Sequence, residues 1–161
     1  MEDIRLFLKK IAKNQYKLSI AYREGYNLYK YKFDIGFTLL FKETEEGIEL
    51  THENKTYTNL NEIQLILFDI FNYRNIEYID VYLQHKIDNY KTSARIEDIY
   101  DDYYDDTKNE LVCMRQILLD NDKKIIKMKF VVVEETDYYL YYNDETISGF
   151  EEILIKINQL F

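Results

Sequence analysis

Leu39-Leu-Phe-Lys-Glu-Thr44 and, in the second half of the chain, Val131-Val-Val-Glu-Glu-Thr136 share an apolar run, a charged exit and a threonine before a turn. Each continues into a turn, a short strand and a capped helix. Downstream, Thr56, Thr58, Leu60, Glu62 and Ile63 match Thr146, Ser148, Phe150, Glu152 and Ile153 at one fixed offset. Leu60, Ile63, Leu67 and Phe71 then recur at helical spacing, as do Phe150, Ile153, Leu154, Ile157 and Leu160. Ser148 and Glu151 have the spacing of a capping box, in which hydroxyl and carboxylate each satisfy a free backbone donor. Thr58 with Asn61 is a weaker version. The first of these helices, Asn59 to Asn72, also carries Leu65, Ile66, Phe68 and Ile70, so it is apolar nearly all round and should be buried on both sides.

Upstream, Ile4, Phe7, Leu8 and Ile11 lie at i, i+3, i+4, i+7 and define a first helix, and Ile96, Ile99, Tyr100 and Tyr103 repeat that spacing. Tyr16 to Tyr22 alternates as a strand, whereas Leu111 to Leu119 fits either strand or helix. Arg23-Glu-Gly-Tyr26 and Asn121-Asp-Lys-Lys124 read as turns. Tyr29, Tyr31, Phe33, Ile35, Phe37, Leu39 and Phe41 alternate over thirteen residues, a strand long enough to bend at Gly36. The expected fold is therefore α+β, a tandem duplication of an α-β-β-β-α unit whose antiparallel sheets carry helices packed on one face. The units run over residues 1–74 and 95–161 and share one core. Between them, Asn75 to Gln84 reads as an extra strand and His85 to Ala94 as a linker.

Composition allows a sizeable core: 47% of the 161 residues are apolar and 16% aromatic, with seventeen tyrosines and nine phenylalanines. Tyrosine adds contact area and a polar tip at low rotamer cost, which suits interfaces as well as cores. The absence of proline, beside abundant Lys, Asn, Ile and Tyr, also fits AT-rich coding. The net charge of −9 argues against direct nucleic-acid binding, which needs a basic footprint. The charge is uneven, however. Met1 to Phe33 holds eight bases (Arg5, Lys9, Lys10, Lys13, Lys17, Arg23, Lys30, Lys32) against three acids (Glu2, Asp3, Glu24). With one cysteine, Cys113, there is no disulfide framework or thiolate metal cage. Neither a signal peptide nor a membrane span is legible, so the expected location is the cytoplasm of a bacterial or phage-infected cell.

Catalytic residues are scarce. His52 and His85 are the only histidines, nothing in the spacing pairs either with Cys113, and the four glycines form no phosphate loop. No catalytic site, metal or cofactor is expected, and Cys113 reads as a small core residue. The most distinctive feature is Glu97-Asp-Ile-Tyr-Asp-Asp-Tyr-Tyr-Asp-Asp106, with six acids and no base. As a helix it puts Ile96, Ile99, Tyr100 and Tyr103 on one face and Asp98, Asp101, Asp102 and Asp105 on the other. Three readings compete: a solvated face, a divalent-metal site, and a surface that imitates a row of phosphates or docks on a basic protein. A straight stripe does not converge on one ion. The partner-binding candidates are Asp98, Asp101, Asp102, Asp105, Asp106, Glu97 and Tyr104, with Tyr100 and Tyr90 at the rim. Acids at Glu43, Glu45, Glu46 and at Glu134, Glu135, Asp137 in the two hairpin turns extend the negative surface if the turns share a side.

The function expected from these residues is inhibition by occupation, with a nuclease or defence effector as the basic-surfaced partner. Toxin immunity proteins and anti-CRISPR or anti-restriction proteins, some of them DNA mimics, are similar as a class in being small, acidic and cytoplasmic. The alternative is a chaperone or adaptor for a secreted protein. Small acidic secretion chaperones resemble the helix–three-strand–helix outline and dimerise, so a homodimer is also open, but two complete units in one chain depart from that pattern.

Overall fold

The computed structural model of the chain describes residues 1–13, 15–90 and 93–161. It is α+β, with four helices and two antiparallel sheets, in units Met1–Tyr73 and Arg74–Phe161. No helix among the described residues is long and apolar enough to cross a membrane.

In the first unit, helix α1 (Glu2–Ile11) buries Ile4, Phe7, Leu8 and Ile11, the positions its spacing marks. Glu2 and Asp3 in its first turn and Lys9 and Lys10 in its last complement the helix dipole. Five strands follow as a meander in chain order: β1 (Tyr16–Arg23), β2 (Tyr26–Phe33), β3 (Thr38–Thr44), β4 (Gly47–His52) and β5 (Lys55–Tyr57). Helix α2 (Leu60–Ile70) closes the unit. Tyr29, Tyr31, Phe33, Leu39, Phe41 and Leu50 are buried on one face of the sheet. The helices cover that face: Phe7 meets Phe68 edge-on at 4.9 Å and Phe33 meets Phe71 at 5.1 Å. Burying each such side chain is worth about 1.5–3 kcal/mol.

The single long strand expected from Tyr29 to Phe41 is instead the β2/β3 hairpin. Gly36 sits at φ +102°, where a side chain would be strained, and its N–H donates to Phe33 O. The loop is four residues long, so it preserves parity: Tyr31 pairs with Leu39 and Tyr29 with Phe41, and all four still face inward. That is why alternation alone reads straight through the turn.

The second unit opens with helix α3 (Ile76–Asp88), where a strand and the start of a linker were expected; residues 91 and 92 of that linker lie outside the described residues. Its pattern supports both readings, because Ile76, Tyr78 and Tyr82 alternate while Ile79, Leu83 and Ile87 recur every four residues. The Asn75 side chain settles it by accepting the Tyr78 N–H at 3.0 Å as N-cap. The strands are β6 (Ala94–Asp98), β7 (Tyr103–Asp105), β8 (Glu110–Leu119), β9 (Lys124–Val133), β10 (Asp137–Tyr142) and β11 (Glu145–Ser148), before helix α4 (Phe150–Gln159). The sheet order is β11-β10-β9-β8-β6, with β7 also paired to β8. Leu111 to Leu119 is thus a strand. Cys113, Ile117, Leu119, Ile126, Met128, Phe130 and Leu140 form the core with Ile79, Leu83 and Ile87 of α3 and Ile153 and Ile157 of α4.

Two caps differ from expectation. Helix α2 is capped by Asn59, whose side chain accepts the Glu62 N–H at 3.0 Å, rather than by Thr58. Ser148 remains in β11, and Gly149, at φ +101°, is the N-cap of α4 with no side-chain bond. The strand's hydrogen bonding to β10 holds Ser148 outside the helix.

Candidate functional site: an acidic, tyrosine-rich edge pinned by a buried arginine

The acidic segment is not a helix, so its carboxylates form no helical stripe. It is one edge strand interrupted by a bulge. β6 pairs with the Arg115–Leu119 end of β8, and β7 resumes along the same edge opposite Glu110 to Val112. Between them Ile99 to Asp102, four residues, face only Cys113 and Met114, with the Ile99 N–H donating to Met114 O at 3.4 Å. Such bulges re-aim side chains and end edge pairing. The charges also keep the open edge from templating another chain.

Arg115 explains the bulge. Its inward position on β8 is flanked by Cys113 and Ile117, and it is only 4% exposed. Buried guanidinium must be paired and fully hydrogen-bonded. All five donors are used. Nε and one Nη donate to Asp80 of α3 at 2.9 and 3.1 Å, and both Nη donate to Asp102 at 2.6 and 2.9 Å. The remaining donor reaches Met114 O at 3.3 Å, and Asp98 stands 3.3 Å from Nε. As a helix the aspartates would repel at i, i+3 and i+4. As a bulged edge, two of them converge on a cation supplied from seventeen and thirteen residues away, with Asp80 arriving from α3. A guanidinium, not a metal, sits where these carboxylates meet.

The pair titrates unequally. Hydrogen bonds from Arg115 hold Asp102 below the ordinary carboxylate value of 3.8. Asp80 has the same side-chain exposure, 38%, but burial pushes it upward and outweighs its bonds to the guanidinium. Burial, with the Asp102 charge nearby, pushes the Cys113 thiol up to about 12, so it stays protonated and is no nucleophile near neutral pH. His52 lies 3.8 Å from Glu53 at the end of β4, while His85, expected at a strand exit, is on α3 with Asn89.

The sequence candidates therefore separate. Asp98 and Asp102 are counter-ions of Arg115. Glu97 pairs with Arg95 at 3.2 Å and accepts from Gln116 at 3.5 Å. Asp105 closes the β7/β8 turn by accepting the Thr107 hydroxyl at 2.6 Å and the Thr107 and Lys108 N–H groups, and the Thr107 bonds hold it below 3.8. Asp101 and Asp106 are exposed and carry no partner among the described residues. Tyr104 is 48% exposed, and Tyr100 and Tyr103 beside it are 64% and 53% exposed. Tyr90 is apart from them, packed edge-on against Phe161. Of the hairpin acids, Glu45, Glu46, Glu134 and Glu135 lie in the β3/β4 and β9/β10 turns and Asp137 opens β10, whereas Glu43 lies within β3, where it accepts from the Tyr29 hydroxyl at 2.9 Å and pairs with the Met1 amino group at 2.9 Å.

An apolar cleft of about 300 Å³ adjoins the edge, with Leu111, Val132 and Tyr138 among its walls and Asn75, Glu135 and Tyr104 at its polar margin. Tyr104 therefore belongs to both features. The site is an edge with three exposed tyrosines, Tyr103 and Tyr104 on opposite faces of β7, two free carboxylates and an apolar recess on the Tyr104 side. Asp80 and Arg115 escape a local reading because their partners are remote. The one available signal was an arginine at an inward position between Cys113 and Ile117. No protein-family model, curated protein or solved structure matches the chain.

Proposed function

We propose that the chain is a binding protein that inhibits by occupation, docking its acidic, tyrosine-rich edge on a basic surface of a nucleic-acid-active protein in the cytoplasm of a bacterial or phage-infected cell. The observation that carries this reading is the Arg115 clamp. It fixes the bulge, so Tyr100 and Asp101 on it, and Tyr104 just beyond it on the cleft side of β7, are presented without the full entropic cost of ordering a loop on binding. Exposed tyrosines are the usual anchors of protein interfaces. Free carboxylates add steering and discrimination. Mimicry of phosphates then rests on Asp101 and Asp106 rather than on a regular row.

The apolar cleft is the one feature that favours the alternative, a chaperone holding an apolar segment of a secreted protein. Salt separates the two. A complex built on carboxylates weakens as ionic strength rises, and one built on apolar burial does not. Capture from a host or phage-infected lysate, eluted by a salt gradient, should release a nuclease or effector whose activity the purified chain blocks stoichiometrically. Retention of a secreted protein at high salt would overturn the inhibitor reading.

We also read the two units as copies of one ancestor. Both begin and end with a helix around an antiparallel meander, and Thr56, Leu60 and Ile63 fall in β5 and α2 where Thr146, Phe150 and Ile153 fall in β11 and α4. An experimental structure giving the two meanders opposite hands would refute common descent.

A further inference from the structure

The charge of the first unit is sorted by face. The unit as a whole is nearly neutral, with ten bases and eleven acids, whereas the second has eleven bases and nineteen acids. Strand alternation sends Tyr29, Tyr31, Phe33, Leu39 and Phe41 to the helix-covered side, and their neighbours to the other. The register assembles that open face. Lys17 pairs with Lys32, Lys30 lies between Ser19 and Leu40, Lys42 pairs with Leu28, and Arg23 pairs with Tyr26. Lys17, Arg23, Lys30 and Lys32 are exposed, and the Lys42 ammonium stands 5.2 Å from the Tyr26 ring. Five cations thus share a face with one acid, Glu49, which is opposite Lys42. No carboxylate pairs with Lys17, Lys30 or Lys32 among the described residues. Like charges directly across strands, as at Lys17 and Lys32, are unfavourable until an anion joins them.

We infer that this open sheet face binds a single strand of nucleic acid through its phosphates, independently of sequence. Each successive inward–outward repeat of the sheet, about 6.8 Å along the strands, carries at least one cation, and four repeats do so in turn. A polymer with one negative charge per unit matches such a ladder. The hydroxyls of Ser19, Thr38 and Thr51 lie on the same face as further donors. An acidic protein matches less well: Leu40, at 38%, is the most exposed apolar side chain on the face, with Ala21, Tyr26 and Leu28 partly buried, and lysine is depleted from the cores of protein interfaces. The overall charge of −9 does not forbid the contact, because charges more than about 8 Å away are largely screened at physiological salt. The inference does not depend on the acidic edge, which belongs to the other unit.

The test is fluorescence anisotropy of a labelled deoxythymidine 20-mer titrated with the full chain from 25 to 200 mM NaCl. Four or five phosphate contacts predict binding at low salt and a slope of log K against log salt of about −3. The Lys17→Glu, Lys30→Glu, Lys32→Glu variant should bind at least about tenfold more weakly. Should that variant misfold, the corresponding triple alanine variant should instead flatten the slope by about 2. No binding at 25 mM NaCl, or unchanged binding by a folded lysine variant, would overturn the inference. Displacement by polyglutamate as efficient as by unlabelled oligonucleotide would also overturn it and assign the face to an acidic protein.

Discussion

Replacing Arg115 by methionine takes a guanidinium from among three carboxylates and leaves an apolar chain of similar reach. Breaking a buried ion pair from one side costs about 3–5 kcal/mol, because the charges left behind keep their desolvation cost. Asp80 and Asp102 are each 38% exposed and Asp98 65%, so water recovers part of that. The expected loss is about 2–3 kcal/mol. It should fall first on the bulge, which loses its tie to α3 and to the inner face of β8. The chain has two units, so one global melting curve is a poor readout. Hydrogen exchange across β6, the bulge and β7 reads local opening directly. A loss of 2–3 kcal/mol appears there as about 30- to 150-fold faster exchange, centred on the Ile99 amide.

The pH dependence has a definite sign. In the wild type, Asp102 is held below 3.8, so its stabilising share is present above that value and is lost as pH falls through the lowered one. In the variant the carboxylates lose their partner and burial raises them, so protonation restores stability and the deficit at pH 7 shrinks towards pH 4. Adding Asp80→Asn and Asp102→Asn to Arg115→Met removes the orphaned charges and should recover the loss to within about 1 kcal/mol. Unchanged exchange from residue 98 to residue 105 in Arg115→Met at pH 7 would refute the clamp.

Other residues give separate checks. The Tyr31 hydroxyl is buried without a well-formed hydrogen bond among the described residues, the Arg5 guanidinium being close enough only to interact weakly, and burial pushes it up to about 12. Tyr31→Phe should therefore leave stability unchanged or raise it by up to about 1 kcal/mol in urea titration, and a clear loss would reveal a bond there. Asn59→Ala should cost about 1 kcal/mol through the α2 cap, whereas Ser148→Ala should cost under about 0.5, and the reverse order would restore the capping-box reading. Cys113 is fully buried, so it should resist a disulfide reagent at pH 8 until the chain is denatured, and prompt labelling would contradict its placement.

What the sequence revealed depended on how local its signals were. Helices α1, α2 and α4 were readable from Ile4-Phe7-Leu8-Ile11, Ile63-Leu67 and Ile153-Ile157, because each buries one regular stripe. The Arg23–Tyr26 turn was readable from its glycine. Helix α3 was not, since its apolar residues satisfy both periods and its cap was hidden in Asn75. The acidic segment reads as a helix for a physical reason. Ile96, Ile99, Tyr100 and Tyr103 fit a helix, but the cation that makes the aspartates tolerable comes from β8, and no local pattern announces it. The acidic, tyrosine-rich character of the site was legible, whereas its shape and its division into clamp and free surface were not.

The most direct test of the proposed edge is quantitative capture by the wild type and by a variant carrying Tyr100→Ala, Tyr104→Ala, Asp101→Asn and Asp106→Asn, which leaves every Arg115 contact in place. Beads bearing each protein would be incubated with the same host or phage-infected lysate at low salt, and the bound proteins counted by mass spectrometry. A basic, nucleic-acid-active protein enriched on the wild type should fall to background on the variant, with circular dichroism unchanged. Equal capture of that protein by both would show that it binds elsewhere and would contradict the account.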